Sequence, residues 1–508
     1  MKSWISTDYP FLYFEDCIFE NIAVTSLFAD VEVNNCQFIH STLGLDHAWG
    51  TIDNSNFTKD SFIRVSNMAL ANIYNCNFED GNDSAIWTYS CDAYIINCTI
   101  KNYTSQNGAA IFADGVNKII NCVFINNVAT EYGGAIYFNP WSGGTTIENC
   151  SFINNSAKYG SAIAWNSSDK TIITNCIFDN NNPVASTLYF INDCLPKIDF
   201  SKLNITANNN FWGKNDVVIS DIFKSKAGET FKLSNVLSLK LKSDGNDSYT
   251  LYFATSSGSQ VSKIPNYTVT LKDRRDGSII VKDLLLVNGK ASFKYAKSLN
   301  MDVIDIINQG GKSVTKLSTS VSRAKLITYY RSGRTFNVKV LDKYSKEPLS
   351  GIKLTLKVYT GKKYKTYYVT TNSKGIAAFK GSSLSIGTHK VEVSSSNKIY
   401  DIAKFTSSIT INKAKTIVSA PKVSVKYKAK KYFKVAVKHY STKKYISGLK
   451  LKLKVYTGKK FKTYYVKTNS KGIANFNTKS LKRGNHKVVI LSANGNYIVS
   501  KTSSIRVR

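Results

Sequence analysis

A motif of the form Ile-x-Asn-Cys-x-Phe recurs in the N-terminal part of the chain and constrains the fold more than any other feature. Its Cys position is occupied in turn by Cys17, Cys36, Ser55, Cys76, Cys98, Cys122, Cys150 and Cys176. The copies are therefore 19 to 28 residues apart, with no helical pattern between them. Because three short strands and their turns fit this length, each copy predicts one coil of a parallel β-helix.

The residue types in the motif suit such a coil. Equivalent side chains of successive coils stack at the inter-strand spacing of about 4.8 Å, so one compact residue type can repeat along the axis. Cys and Phe are predicted to point inward. Asn is predicted at the bend, where it tolerates a left-handed backbone and can hydrogen-bond to the next Asn. The predicted ladder residues are Cys17, Cys36, Cys76, Cys98, Cys122, Cys150, Cys176, Asn75, Asn97, Asn121, Asn149 and Asn175.

The ladder cysteines raise the question of metal or disulfides. Metal is not expected, because the chain has no Cys-x-x-Cys pair and only five His. A disulfide between stacked coils is sterically possible, but in-register cysteines more often serve as small apolar core residues. We therefore expect free, buried thiols, and neither a metal nor a cofactor. Cys91 and Cys194 lie off the ladder, and the sequence leaves their redox state open.

A second repeat, Ala-Ile followed in three copies by an aromatic residue, lies about half a coil after the first. If Ile86, Ile111 and Ile136 face the core, strand alternation turns the next side chain outward on each coil. An exposed aromatic row would suit stacking on sugar rings. The alternatives are that the parity is reversed or that a loop covers the rings. The candidate ligand-binding residues are Trp87, Phe112, Tyr137 and, beside a break in the row, Trp165.

These repeats resemble known families. The segment 124–136, which contains Phe-Ile-Asn-Asn and Gly-Gly-Ala-Ile, resembles the FxxN and GGAI repeats of polymorphic outer-membrane autotransporter β-helices. The segment 208–213 is similar to the sequence that closes such helices in adhesin-like surface proteins of methanogenic archaea. The resemblance implies a right-handed parallel β-helix over residues 1–213. A coil motif is already under way at Asp16-Cys17, so we expect an N-terminally incomplete helix with a signal peptide upstream.

After residue 213 the pattern changes to long alternating strands with frequent turn residues, which is typical of small β-sandwiches. Two copies match at an offset of 97 residues: the segment 357–363 returns as 454–460. A weaker copy precedes them. The motif order resembles the Ig-like repeats of bacterial and archaeal surface adhesins and invasins. We predict an all-β chain, in which the β-helix is followed by a linker at 214–230 and three tandem Ig-like β-sandwich modules at 231–322, 323–415 and 416–508.

Charge separates the two parts of the chain. Residues 1–213 hold 9 Lys+Arg and 20 Asp+Glu, whereas residues 214–508 hold 59 and 14. In the second part Lys alternates with apolar residues, so Lys faces solvent and blocks strand edges. A further interpretation is attraction to acidic cell-envelope polymers. The sequence has no nucleic-acid recognition motif and no apolar run near the roughly 20 residues of a membrane helix, so neither nucleic acid nor membrane insertion is expected.

These features predict a non-enzymatic adhesin, extracellular or at the cell surface, whose β-helix binds glycans or the surface of another cell. The competing hypothesis is a β-helix polysaccharide lyase or glycosidase. Against it, the chain has no Asp-Asp pair, and the only Arg before residue 274 is Arg64. Its acids, such as Asp80, Asp114 and Asp169, are scattered over turns, whereas acid–base chemistry needs them at one place. A third hypothesis is a purely structural cell-envelope protein.

Overall fold

The computed structural model describes residues 10–167, 169–183, 186–191, 205–217, 219–226, 233–397 and 399–508. The chain forms two compact units, residues 1–317 and residues 318–508. Cys194, whose redox state the sequence left open, lies outside the described residues.

The first unit begins with a β-helix made of three parallel sheets, because each coil adds one strand to each sheet. The first sheet contains Phe11–Glu15, Asp30–Asn34, Trp49–Asp53, Leu70–Tyr74, Asp92–Ile96, Val116–Ile120, Thr145–Glu148, Thr171–Thr174, Ile205–Asn208 and Leu233–Ser234. The second contains Ile18–Glu20, Gln37–Ile39, Asn56–Thr58, Asn77–Gly81, Thr99–Asn107, Val123–Ile125, Ser151–Ile153 and Ile177–Asp179, with a side branch of Val128–Tyr132, Ser156–Tyr159 and Asn182–Pro183. The third contains Ala23–Leu27, Thr42–Asp46, Phe62–Ser66, Ile86–Tyr89, Ile111–Ala113, Ile136–Phe138, Ile163–Trp165, Leu188–Phe190 and Phe223–Ser225.

Like side chains stack along the axis to form the core of the β-helix. In the first sheet, Ile52, Ile73 and Ile95 pair in register on successive coils. In the second sheet, phenylalanine rings stack with centroids 4.5–4.8 Å apart. Trp212 lies at the end of this stack, 4.5 Å from Phe178. Full burial of such side chains stabilises the fold by about 1.5–3 kcal/mol each, so the repeated motif is itself the core.

Asparagine occupies the bend between the first and second sheets. The backbone of Asn75, Asn97 and Asn121 has φ of 51–56°, and Asn149 and Asn175 have 53° and 55°. Asn is one of the few residues that adopt this left-handed region at low cost. The amide Nδ2 of Asn97 donates to Asn75 Oδ1 at 3.1 Å, and Asn121 Nδ2 donates to Asn97 Oδ1 at 3.0 Å. The bends therefore form a second, polar ladder on the outside of the helix.

Beyond residue 213 the chain continues the β-helix, where the sequence analysis predicted a linker. The strands Phe223–Ser225 and Leu233–Ser234 extend the third and first sheets, and a short helix, Ile219–Ile222, precedes them. The side chains of Ile222 and Phe223 are buried. Because these apolar residues pack on the core, the described part of 214–230 belongs to the last coil, which corrects the predicted linker.

The first sandwich module packs against the end of the β-helix. One of its antiparallel sheets contains Ser238–Gly245, Ser248–Ala254 and Lys290–Lys294, and the other contains Tyr267–Asp273, Ile279–Leu286 and Ile304–Asn308. The ring of Phe211 lies 5.0 Å from that of Phe253 and 5.4 Å from that of Tyr267. The buried carboxylate of Asp179 accepts hydrogen bonds from Tyr267 Oη at 2.9 Å and Asn308 Nδ2 at 2.7 Å. The module therefore covers the last coil.

The second unit contains two further sandwiches, each with a four-stranded and a five-stranded sheet. The second module contains Leu317–Val321, Phe336–Asp342, Ile376–Phe379 and Tyr400–Asp401 in one sheet, and Leu326–Tyr329, Lys353–Thr360, Lys363–Thr370, Gly387–Ser394 and Phe405–Asn412 in the other, with a 3-10 turn at Gly381–Ser383. The third module contains Ala414–Ser419, Tyr432–His439, Ile473–Asn477 and Tyr497–Ile498, and Val423–Val425, Lys450–Thr457, Lys460–Lys467, Gly484–Ser492 and Ser500–Val507.

Module boundaries differ slightly from the prediction. Leu317–Val321 pairs with the second module, although the prediction of 231–322 placed it in the first. The strand Ala414–Ser419 pairs with the third module and begins two residues before the predicted start at 416.

The all-β fold class predicted from the sequence is confirmed, with the parallel β-helix first and Ig-like sandwiches after it. Within the described part of the chain, no helix has the length and apolar character needed to cross a membrane.

Candidate functional site

An aromatic row runs along the outer side of the third β-helix sheet. Trp87 pairs in register with Phe112, and Phe112 pairs with Tyr137, on three successive coils. The preceding residues Ile86 and Ile111 are fully buried. Alternation therefore turns the three rings away from the core, and each of them is half-buried. Of the predicted candidate residues, the structure brings these three together.

The rings of this row stack on one another. The centroids of Trp87 and Phe112 are 5.7 Å apart at an interplanar angle of 18°, and those of Phe112 and Tyr137 are 5.3 Å apart at 51°. Tyr89 continues the row, 6.0 Å from Trp87. The guanidinium of Arg64 lies 4.5 Å from the centroid of Trp87. Offset ring stacking and a cation over the ring face are both favourable, so the rings are held in fixed orientations.

Three more tyrosines extend the aromatic row. Tyr132 and Tyr159 lie on the side branch of the second sheet, and Tyr189 lies on the third sheet, one coil beyond Ala164. Tyr132 lies 6.2 Å from Tyr137 and 5.3 Å from Tyr159, and Tyr159 lies 4.9 Å from Tyr189. These three tyrosines were not among the residues predicted from the sequence. For Tyr189 the available signal was its place between Leu188 and Phe190, which continues the apolar-aromatic repeat. The aromatic surface comprises Trp87, Tyr89, Phe112, Tyr132, Tyr137, Tyr159 and Tyr189.

Trp165 does not belong to the aromatic surface, which corrects the prediction. It pairs in register with Phe138 and Phe190 on the inward row of the third sheet, and its ring lies 6.0 Å from that of Phe138. The side chain is 1% exposed. Among the described residues, its indole Nε1 has no hydrogen-bond partner. Trp165 is therefore a core residue, because it falls one position after Ala164 in the alternation.

A polar hollow of about 590 Å³ lies beside Tyr89, where the third sheet turns into the first. Its side chains include Tyr89, Cys91, Asp92, Asp114, Asn117 and Trp141. The ring of Trp141 is 70% exposed. Gly115 lines one side with φ of 112°, and a Cβ there would lie 1.9 Å from the carbonyl oxygen of Cys91. A glycine is therefore required at this turn.

The carboxylates of the hollow are already oriented by amide groups. Asn139 Nδ2 donates to Asp114 Oδ2 at 3.2 Å, and Asn117 Nδ2 donates to Asp92 Oδ1 at 2.9 Å. Burial raises the pKa of Asp114. Burial also raises the pKa of the Cys91 thiol to about 12, so this thiol is protonated at neutral pH and is a poor nucleophile. The hollow thus offers hydrogen-bonding groups next to two aromatic rings.

The ladder cysteines lie in the core as free thiols. The Sγ of Cys150 accepts a hydrogen bond from the backbone N–H of Cys122 at 3.4 Å. Burial raises the pKa of Cys36 to about 11, and it also raises the pKa of Cys122 and Cys150. Thiols of this kind act as apolar packing groups. Within the described ranges, no cluster of three or more His, Cys, Asp or Glu residues is arranged to hold a metal ion.

The fold and this surface define a parallel β-helix protein with a solvent-facing aromatic surface, followed by Ig-like modules. Residues 41–215 match a family model described as a right handed beta helix region, which covers about a third of the chain. No curated protein matches the sequence.

Several solved structures are similar to parts of the chain. One is a tetra-tandem repeat in the extending region of a large adhesion protein, at 13% identity and a TM-score of 0.22, covering 54% of this chain and 73% of that one. A second is invasin, a bacterial integrin-binding protein, at 12% identity and a TM-score of 0.24. The match covers 38% of this chain and 39% of the invasin chain. A third is the Yersinia pseudotuberculosis adhesin InvE, at 12% identity and a TM-score of 0.21. The match covers 37% of this chain and 58% of the InvE chain.

Proposed function

We propose that this protein is a non-enzymatic surface adhesin whose β-helix binds a glycan through the aromatic surface. The observation that carries the proposal is the continuity of that surface: stacked rings on successive coils lead through Tyr89 to a polar hollow. The half-buried rings together present an apolar surface to the C–H side of a sugar ring, while carboxylates and amides hydrogen-bond to its hydroxyls. The surface offers both groups side by side.

A neutral glycan fits this surface better than an anionic one. Residues 1–213 carry 20 acidic and 9 basic side chains, and the hollow contains Asp92 and Asp114. Near the rings, the Lys158 ammonium lies 3.4 Å from the Glu131 carboxylate, so part of the positive charge is compensated. An anionic polymer would therefore be repelled on approach.

The proposal is tested by screening the full chain on a glycan array and comparing two variants. In Trp87→Ala/Phe112→Ala, two adjacent rings of the aromatic surface are lost, and we expect binding to fall by about tenfold or more, since stacking aromatic pairs contribute about 0.5–1.5 kcal/mol each. The matched control is Trp49→Ala. Trp49 is 65% exposed on the first sheet of the same β-helix, and its loss should leave binding unchanged.

The competing functions give different results in the same experiment. Release of new sugar ends from a bound polysaccharide would show a lyase or glycosidase and contradict the non-enzymatic role. Absence of binding to any glycan would favour a purely structural envelope protein. Equal losses in the double variant and in Trp49→Ala would show that the aromatic surface is not the binding site.

A further inference from the structure

The second and third modules present the same arrangement of lysine and aromatic side chains on the outer side of the five-stranded sheet. This Lys-aromatic face comprises Lys353, Lys357, Tyr359, Tyr364, Tyr368 and Lys390 in the second module, and Lys450, Lys454, Tyr456, Phe461, Tyr465 and Lys487 in the third. Each residue of the second module lies 97 positions before its counterpart in the third module. The burial pattern of the central strands alternates strictly, with Leu and Val inward.

On this face the lysines lie over the rings. In the third module, Lys454 Nζ is 4.7 Å from the centroid of Phe461, and Lys450 Nζ is 4.9 Å from that of Tyr465. The second module repeats the contact, with Lys357 Nζ at 4.9 Å from Tyr364. A cation over a ring face is attracted by the ring quadrupole. The rings therefore favour positions of the ammonium groups close to the sheet surface.

The two modules differ in their acidic residues. In the second module, Glu392 accepts hydrogen bonds from Lys390 Nζ at 2.6 Å and from Tyr359 Oη at 3.0 Å. The hydrogen bond from Lys390 lowers the pKa of Glu392, so this carboxylate is charged at neutral pH. Val489 occupies the equivalent position in the third module. Residues 414–508 contain 25 Lys+Arg and no Asp or Glu. Residues 318–413 contain 18 Lys+Arg and 4 Asp+Glu.

A basic hollow adjoins the face of the third module. It has a volume of about 560 Å³ and is lined by Lys413, Lys450, Lys452, Tyr465 and Asn494, among others. Among the described residues, none of these lysines is paired with a carboxylate. Lys452 replaces Thr355 of the second module. The third module thus combines uncompensated ammonium groups with an open hollow in which an anionic group can contact several of them.

We infer that the Lys-aromatic face of the third module is a docking surface for an acidic polysaccharide. Ammonium groups on a flat sheet attract the repeated anionic groups of such a polymer, and each neutralised charge adds to the binding. Nucleic acid fits less well. Bases need open ring faces for stacking, but here the ammonium groups cover them. The cations of the Lys-aromatic face are all lysines, with Arg506 farther along the outer side of the same sheet, whereas arginine is the residue favoured for phosphate recognition.

Titration of the full chain with polygalacturonate, by calorimetry at low salt, tests this inference. In Lys450→Gln/Lys454→Gln/Lys487→Gln we expect affinity to fall by about tenfold, because exposed charge pairs contribute about 0.2–1 kcal/mol each. The control triple, Lys415→Gln/Lys434→Gln/Lys438→Gln, removes equal charge from the four-stranded sheet of the same module. Its expected loss is about twofold.

A reciprocal exchange sharpens the test. Val489→Glu gives the third module the acid of the second, and we expect its affinity for polygalacturonate to fall by about threefold. Glu392→Val in the second module should instead raise the affinity of the full chain. Uncharged dextran should not bind to the Lys-aromatic face.

Three results would overturn the inference. The first is the absence of polygalacturonate binding at low salt. The second is an equal loss in the two triple variants, which would mean that only net charge matters. The third is tighter binding of single-stranded DNA than of polygalacturonate, lost with the same three lysines, which would assign the face to nucleic acid.

Discussion

The aromatic surface of the β-helix and the Lys-aromatic face of the third module both lie on the outer side of a β-sheet, yet their rings have different neighbours. On the β-helix, a ring stacks on a ring, as Trp87 does on Phe112. On the third module, a ring lies beneath an ammonium group, as Phe461 does beneath Lys454. The first surface suits an uncharged ligand, and the second suits an anionic one.

The difference follows from how the strands pair. In a parallel β-helix, in-register pairing places the same position of each coil side by side, so a repeated sequence stacks like on like. In an antiparallel hairpin, cross-strand and diagonal neighbours come from different positions of the repeat, so unlike residues meet. Similar aromatic content therefore produces two chemically distinct surfaces in one chain.

The largest expected effect concerns the like-on-like stack. Phe152 is fully buried between Phe124 and Phe178, with centroids 4.8 and 4.7 Å away. Phe152→Ala should lower the free energy of unfolding by about 3–5 kcal/mol. Because all six Trp precede residue 213, tryptophan fluorescence during urea unfolding follows this part of the chain. Phe112→Ala, on the outer side, should cost about 1 kcal/mol. Equal costs would mean that the rings of the stack are not the core.

The next effect concerns the contact between the β-helix and the first module. Asp179→Ala leaves two buried donors, Tyr267 Oη and Asn308 Nδ2, without their acceptor. Unsatisfied buried groups cost about 1–3 kcal/mol each, so we expect the free energy of unfolding to fall by about 2–4 kcal/mol. The exposed Asp169→Ala is the control, with no expected change. No loss in Asp179→Ala would show that these two hydrogen bonds do not stabilise the contact.

A smaller effect is expected at the bends. Asn121 has φ of 56° and donates to Asn97. Asn121→Ala should lower the free energy of unfolding by about 1–2 kcal/mol, because alanine is strained in this region. Asn121→Gly removes the same side-chain hydrogen bond without the strain, so it should cost less. The order of the two unfolding midpoints measures the strain, and equal losses would assign the cost to the hydrogen bond.

These residues also show how far the sequence predicts the molecule. The Cys, Phe and Asn positions repeat at one register, so stacking determines where each of them lies. Tyr132 and Tyr159 were missed because they lie on the side branch, whose contact with the third sheet is tertiary. Trp165 was placed wrongly because it is adjacent to the row, whereas one position along a strand reverses the side it faces.

The extension of the β-helix past residue 213 was missed for a similar reason. Ile222 and Phe223 form only a short apolar stretch, without the Asn-Cys motif. Its burial depends on the last coil already being in place. The module pair, in contrast, was recognisable because the second and third modules repeat nearly the same sequence at one offset.

The smallest expected effect is that of salt on the binding of a neutral glycan by the β-helix. Raising the salt from about 0.05 to 0.5 M shortens the range of charge interactions from about 14 to 4 Å. Polygalacturonate binding to the third module should therefore weaken strongly, whereas neutral-glycan binding to the β-helix should change by less than about twofold. Titration of the full chain with both ligands at the two salt concentrations measures the contrast. Parallel losses would mean that the two surfaces bind by the same force.

The most direct test of the proposed function is a crystal structure of the full chain with a neutral glycan selected from the array. We expect sugar rings in van der Waals contact, within about 4 Å, with Trp87 and Phe112, and hydroxyl groups directed toward the hollow beside Tyr89. A glycan bound to the Lys-aromatic face, or to another side of the β-helix, would contradict it.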